Sequence, residues 1–460
     1  MVWVKINKYL NCKLTTIKMN VLKNATWVFL LAGILSSCSN SATKEKVQPN
    51  FVIIMADDLG FGGLASYGDP RLRTPNIDYL AAKGIRFSDF HSNAPVCSPT
   101  RAALLTGNYQ QRAGLEGVIY VRGETREVGL DSSEVSIAKL LKTAGYATGI
   151  MGKWHLGYQK EYNPVYHGFD TFYGYLSGNV DYHSHYDNAG IYDWWHNLDS
   201  IYEEGYATDL ISAHAVDFIN ENKEKPFFLY VSHEAPHVPF QGRNNPAYRF
   251  PGKKFSYHGP VEDTVKVYNE MVEVMDEGVG EILNALRKNG IEENTLVLFI
   301  SDNGAEIFGN NGKLSGQKGN LLEGGHRVPG IAYWKGKITP RESSATVLSM
   351  DVLPTLLAMS QDSYSEKLQF DGVDLSKHLL HNKSIEDRDL FWRYRNQKVA
   401  RHKEWKLLLS DKDTLLINLN KDVLELHNLS KERPEIVKDL LKKLEAWEKE
   451  VGPVTAMKTI

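Results

Sequence analysis

Sulfur is scarce in this chain. Its 460 residues hold three cysteines, Cys12, Cys38 and Cys97, which rules out a disulfide scaffold and any zinc site built on cysteine. Positive charge is not in excess either: 53 lysines and arginines stand against 56 acids, a formal net charge of −3. Loss of residues 1–37, which hold five lysines and no acid, would move that charge to −8. A body this acidic does not attract polyanions through its overall field, which argues against nucleic acid as a partner. An anionic substrate would need a cation and a few local basic groups. No internal repeat or low-complexity segment stands out, and beyond the amino terminus no apolar run could span a bilayer. What is present is an ordinary globular composition, 42% hydrophobic and 24% charged, on a chain long enough for a large core and two domains.

The amino terminus reads as a targeting segment. Lys18 and Lys23 flank a second start at Met19, and Ala25 to Leu35 is an apolar run too short to span a bilayer. It ends in Leu35-Ser36-Ser37-Cys38, which resembles a bacterial lipobox. The expectation is a signal peptide over 1–37, lipidation of Cys38, and a polar tether over 38–49. The rest would then be a soluble body held by a lipid anchor in the periplasm or at the outer membrane of a Gram-negative bacterium.

From Phe51 to about residue 360, short apolar runs alternate with helical segments, the pattern of an α/β fold with a large, mostly parallel sheet. Strands are expected at 51–55, 146–151, 227–231 and 295–300, and helices at 133–144, 209–222 and 263–289. Polar clusters follow each strand: Asp57-Asp58, Gly152 to His155, Ser232 to His237, and Ser301 to Gly304. In open α/β sheets ligands bind beyond the carboxyl ends of the strands. Four segments would therefore deliver chemistry to one edge of one sheet. The catalytic domain is expected over 50–385. Short strands between 389 and 419 and an amphipathic helix over 434–450 predict a smaller α+β carboxy-terminal domain over 386–460. Between Tyr158 and Tyr206 lie ten of the 23 tyrosines, with Trp194, Trp195 and four histidines and no regular period. That stretch reads as an irregular cover for the core, as a sugar-binding rim, or as both.

Two sets of residues carry chemistry. In Cys97-Ser98-Pro99-Thr100-Arg101, Ser98 reads as a helix N-cap with Pro99 at the first helical position. Cys97 would then sit at a helix mouth that favours an anion, with Arg101 one turn on; taken alone, the same five residues also suit an inert buried cysteine. Asp57 and Asp58, with Asp302 and Asn303, form an all-oxygen set suited to calcium or magnesium rather than zinc. Adjacent carboxylates are costly to gather without a cation.

These residues, together with Thr106-Gly107, Ala235-Pro236-His237, Lys318-Gly319 and Glu323 to Pro329, closely resemble the type I sulfatase family of the alkaline phosphatase superfamily. The likeness extends from Asn50 into the carboxy-terminal region. It implies an alkaline-phosphatase-like sheet. It also implies that a formylglycine-generating or radical-type maturase oxidises Cys97 to formylglycine, whose hydrated aldehyde is the nucleophile. Asp57, Asp58, Asp302 and Asn303 would hold one calcium, in preference to magnesium, with residue 97 touching the same ion. Arg101 and Lys153 would orient the hydrate, His155 would take its proton, and His237 and Lys318 would bind sulfate and assist the leaving hydroxyl. Gly178-Asn179-Val180-Asp181-Tyr182, followed by His183 and His185, resembles a substrate-contacting segment of sugar-directed relatives, and His326, where many relatives carry an apolar residue, either joins it as a candidate contact or simply packs. Thr100 stands where serine is usual.

The expected function is removal of O-sulfate from a sulfated carbohydrate: a glycosaminoglycan, a mucin glycan or a marine polysaccharide. A phosphomonoesterase or phosphodiesterase on the same fold is the nearest alternative. It would call for further histidine and aspartate ligands and a serine or threonine nucleophile. A surface glycan-binding lipoprotein with a defunct site is the other.

Overall fold

The computed structural model describes residues 48–259, 261–360 and 368–453. The signal segment, Cys38 and nearly all of the tether lie outside the described residues. Ten strands make one sheet: β1 (Asn50–Ala56), β2 (Ile85–Phe87), β4 (Ala147–Lys153), β5 (Thr171–Tyr175), β6 (Trp195–His196), β7 (Asp199–Ser200), β8 (Phe227–Ser232), β9 (Thr295–Ser301), β10 (Gly330–Tyr333) and β11 (Arg341–Ser343). Between them β3 (Phe90–His91) pairs with β12 (Val347–Leu348) as a small ribbon. The large sheet runs β11-β2-β10-β9-β1-β8-β4-β5-β6-β7, with the central five, β9 to β5, all parallel.

β1, β4, β8 and β9 are buried at every position, as a strand covered on both faces must be. The alternation along β1 sorts the core into two halves. Val52, Ile54 and Ala56 face α1 (Pro75–Lys83), α4 (Ala207–Asn222) and α5 (Thr264–Lys288). Phe51, Ile53 and Met55 face α2 (Cys97–Thr106), α3 (Ile137–Thr143) and α7 (Val352–Met359). At Gly152, φ is 106° and a Cβ would lie 2.0 Å from the Ser232 carbonyl oxygen, so only glycine fits where β4 meets β8. The helix expected from Ser133 begins instead after Ser136, whose hydroxyl accepts the Lys139 N–H at 3.1 Å; Val135 precedes it and is exposed.

The carboxy-terminal sheet is antiparallel, β13 (Asp389–Tyr394), β14 (Gln397–His402), β15 (Trp405–Leu409) and β16 (Thr414–Asn418), and is covered by α9 (Pro434–Val451). A third apolar cluster joins it to the catalytic body through Val96, Ala103 and Tyr109.

A buried polar seam crosses the same boundary. Arg401 of β14 grips Asp89 through Nη2–Oδ2 at 2.7 Å and Nη1–Oδ1 at 3.2 Å. Burial opposes the Asp89 charge, but Arg401 and His91 outweigh it and hold the carboxyl well below its usual value of 3.8. Its stabilising contribution is therefore complete above that value and is lost as pH falls through the lower folded value. Removing one partner strands a buried charge, so Arg401→Met should cost about 3–5 kcal/mol in denaturant unfolding near neutral pH. The paired change Asp89→Leu/Arg401→Met should recover most of it. A single variant as stable as the parent would show the pair to be inconsequential.

Candidate active site

The ends of β1 and β9 and the loop after β8 are tied together by backbone bonds. Asp57 N–H donates to Ala235 O, and Asp302 N–H to Ala56 O, each at 3.2 Å. Asp58 N–H donates to Asp302 Oδ1 at 3.2 Å. Asp58 and His155 both adopt left-handed backbone, φ 63° and 56°, an arrangement that costs non-glycine residues energy and clusters at functional sites.

Around this knot each carboxylate meets a cation. Lys153 Nζ lies 2.5 Å from Asp57 Oδ2, and Lys318 Nζ lies 2.7 Å from Asp58 Oδ2. Arg101 donates twice to Asp302 Oδ2, at 3.1 and 2.7 Å, and also to Ser232. Burial and the facing Asp302 nevertheless push Asp57 up to about 8 against the pull of Lys153 and Arg101. At neutral pH the cluster keeps a proton unless a further cation neutralises it. Asn303 Nδ2 donates to Asp58 Oδ1 at 2.6 Å, and its buried Oδ1 has no partner among the described residues. Asp57, Asp58, Cys97 and His237 each offer one ligand atom within 4.8 Å of the others. Hard oxygen donors, an Asp57 carboxyl that burial and Asp302 raise, and an orphaned amide oxygen fit a divalent cation of the calcium or magnesium type.

Cys97 opens α2, with Val96 as N-cap; no side-chain cap is present. The expected Ser98 cap fails because the Ser98 hydroxyl accepts the Ile119 N–H at 3.2 Å instead, fixing the segment that forms one wall of the site. Thr100 is fully buried, and its hydroxyl donates to Ala94 O at 3.0 Å, a bond that serine could also make. Cys97 Sγ lies 3.5 Å from Asp57 Oδ1 on the floor of a cavity of about 320 Å³. Burial pushes its thiol well above the ordinary value despite Lys153 and Lys318. An unmodified Cys97 is thus a neutral thiol and a poor nucleophile.

His155, His237 and Lys318 line the same cavity. Burial, then Lys153 and Arg101, hold His155 well below 6.5; burial, Lys318 and Lys153 do the same to His237. Neutral His155 lies with Nε2 2.8 Å from Ile119 O, which makes Nε2 the protonated nitrogen and leaves the buried Nδ1 as an unpartnered base. His237 donates Nδ1–H to Val238 O at 2.7 Å, leaving Nε2 open, 3.6 Å from Asp58. Burial opposes the charge of Lys318, but Asp58 overcomes it and holds the ammonium well above its ordinary value.

Of the expected substrate-contacting segment, Gly178 and Asn179 line this cavity, whereas Asp181, His183, His185 and His326 do not. Asp181 is buried and saturated: it accepts the N–H groups of His183, Ser184, Tyr248 and Arg249 and the Gln241 amide, all within 3.1 Å. His183 bonds Gly242 O at 3.1 Å, and buried His185 stacks on Trp194 at 4.3 Å. These polar side chains organise their own loop. His326 is fully buried in the seam. It accepts from Lys406 Nζ at 3.3 Å and donates to His91 Nδ1 at 3.0 Å, and His91 Nε2 in turn reaches Asp89 at 2.9 Å. It links the β3 ribbon to β15 and lies outside the lining of the cavity.

From the aromatic-rich stretch only Tyr158, Gly178, Asn179 and Asn188 line the cavity, while Tyr175, Tyr182 and Trp194 are core. Sequence reasoning missed Tyr120, Tyr257, Glu306, Tyr394 and Arg395, which complete its walls. The turn expected between β13 and β14 was the one available signal for the last two.

A mostly parallel sheet with carboxylates, an amide, two buried cations and the half-buried Lys318 at its carboxyl edge defines a hydrolase of the alkaline-phosphatase-like fold. Comparison with known proteins narrows the class. The sulfatase family profile matches residues 49–361. The N-acetylgalactosamine-6-sulfatase of Rattus norvegicus is 36% identical over 402 residues, covering 81% of this chain and 73% of that protein. Arylsulfatase A of Bos taurus is 36% identical over 368 residues, 72% of this chain and 68% of that one. Among solved structures, that of Ps i-CgsB in complex with k-i-k-neocarrahexaose superposes with a TM-score of 0.79 at 31% identity, covering 89% and 94% of the two chains. The chain belongs to the type I sulfatase family, and it is a sulfatase.

Proposed function

We propose that this sulfatase removes an O-sulfate group from a sulfated carbohydrate, with residue 97 oxidised to formylglycine and one calcium bound by Asp57, Asp58, Asp302 and Asn303. The observation that carries the reading is the position of Cys97, 3.5 Å from the carboxylate knot on the floor of a cavity lined by His155, His237 and Lys318. The N-acetylgalactosamine-6-sulfatase relative and the neocarrahexaose-bound structure support a sugar substrate. A maturase would meet Cys97 before folding is complete, because the folded chain leaves it 2% exposed. Export to the periplasm or outer membrane and lipidation at Cys38 complete the proposal, carried by the amino-terminal sequence.

When bound, the cation would supply Lewis acidity toward a sulfate oxygen, and formylglycine a hydrated carbonyl oxygen as nucleophile. The chain's own groups do the rest. Lys153 and Arg101 anchor Asp57 and Asp302, so the knot does not shift as charge develops. His155, neutral and with Nδ1 open, is the base beside residue 97. Lys318, held charged, neutralises sulfate oxygens and supplies a proton to the departing sugar oxygen, while His237 Nε2, an acceptor in the neutral ring, takes a hydrogen bond from a sugar hydroxyl instead of holding the acceptor-only sulfate.

Because both imidazoles must be neutral, activity rises as pH passes upward through their values, and those lie well below 6.5. The acid limb of kcat/KM should accordingly fall below the ordinary histidine range; a midpoint near 6.5 would contradict the neutral assignment. Sulfate release from sulfated mono- and disaccharides of defined regiochemistry tests the function itself. A phosphate ester of the same alcohol should react about a hundredfold less well or worse. Equal or preferred phosphate hydrolysis would defeat the proposal.

A further inference from the structure

The cavity above residue 97 holds one cation that no carboxylate answers, and it comes from the carboxy-terminal sheet. Tyr394 closes β13 and Arg395 follows it in the two-residue turn to β14; both line the cavity. The arginines elsewhere in this sheet and its approach are committed. Arg388 is held by Asp351, Arg393 by Glu116 and Glu448, and Arg401 by Asp89. Arg395 has no carboxylate partner among the described residues; its guanidinium rests over the Tyr394 ring, 5.2 Å from the centroid, and the residue is exposed.

Its backbone is left-handed, φ 53°, where glycine or asparagine would sit with less strain than a long side chain. The cavity's one carboxylate, Glu306, lies 4.0 Å from Lys318, whose nearer partner is Asp58 at 2.7 Å. The walls are thus electrically unequal: one holds a lysine shared between two acids, the other a guanidinium with no carboxylate partner. In a chain whose overall charge repels anions, a cation placed at the substrate cavity without a partner is a binding group.

We infer that Arg395 is a specificity-determining residue that recognises a second anionic group on the saccharide, a uronate carboxylate or a second sulfate ester, beside the sulfate to be removed. The inference rests on the carbohydrate reading above and narrows it to polyanionic saccharides. A guanidinium suits both groups because its planar donors match either set of oxygens. The Tyr394 ring beneath it keeps the fork oriented and shields one face from water.

Calorimetric titration of the Cys97→Ala protein, which leaves the ligand intact, tests this without relying on turnover. The probes are N-acetylgalactosamine 6-sulfate, the same sugar linked to glucuronate, and N-acetylgalactosamine 4,6-disulfate. At least one doubly anionic probe should bind about tenfold more tightly than the first, and its identity tells carboxylate from sulfate. Adding Arg395→Ala should abolish that advantage, whereas Arg395→Lys should keep part of it as a point charge. A second anion that adds no affinity, or an advantage that survives Arg395→Ala, overturns the inference. Aryl sulfate turnover by the parent protein, measured separately, reports on the sulfatase chemistry alone, so the two failures are distinguishable.

Discussion

Replacing Cys97 by alanine lowers turnover of a sulfated aryl ester by at least about a thousandfold, on the scale seen when a nucleophile acting within a catalytic unit is removed. The side chain is small and buried at the start of α2, so the substitution deletes one sulfur atom and leaves the helix, the Ser98 and Thr100 bonds and the carboxylate knot in place. An unfolding transition close to the parent's should accompany the lost activity. Cys97→Ser is equally informative. Serine keeps a nucleophilic oxygen but has no second hydroxyl through which to expel a bound sulfuryl group, so at most a single turnover is expected. Sustained activity in either variant would place the nucleophile elsewhere and would revive the glycan-binding and phosphatase alternatives.

Stripping divalent cations should reduce activity by about a hundredfold or more, since Lewis-acid stabilisation of a reacting oxyanion contributes several kcal/mol. Calcium should restore it better than zinc, given an oxygen-only donor set. Binding itself has two signatures independent of catalysis. Because burial and Asp302 lift Asp57 to about 8, the stripped protein holds a proton there at pH 7, and cation binding should expel it, making the heat of binding depend on the buffer. The melting temperature should also rise with calcium concentration, as any ligand of the folded state requires. Asp302→Ala should lose both signatures, because it removes the oxygens that hold Asp58 N–H and Arg101. Proton release unchanged in that variant would put the cation at another site.

The parts of the structure that the sequence made legible share one physical property. β1, β4, β8 and β9 are buried on both faces; β1, β8 and β9 carry unbroken apolar runs, β4 is interrupted by Thr148 and two glycines, and the polar residues that follow all four mark the edge where chemistry gathers. Those residues, Asp57, Asp58, Lys153, His155, His237, Asp302 and Asn303, come together as their strand ends require. β2, β10 and β11 span three or four residues each and carry too little pattern to register. The substrate side was illegible for a different reason. Its walls come from loops far apart in the chain, Tyr120, Tyr257 and Arg395 among them, and no local spacing records that convergence. Within the segment expected at the substrate, Gly178 and Asn179 line the cavity, while the side chains of Asp181 and His183 bond their own loops, as short polar side chains do as readily as they bind ligands. His326, for which the sequence allowed either substrate contact or packing, is buried between His91 and Lys406.

Peptide mass spectrometry across residue 97, on active protein purified from its native host, bears most directly on the mechanism. The account predicts an aldehyde or its hydrate at that position, in a proportion that tracks specific activity from one preparation to the next. Fully active protein carrying only the unoxidised thiol would contradict it.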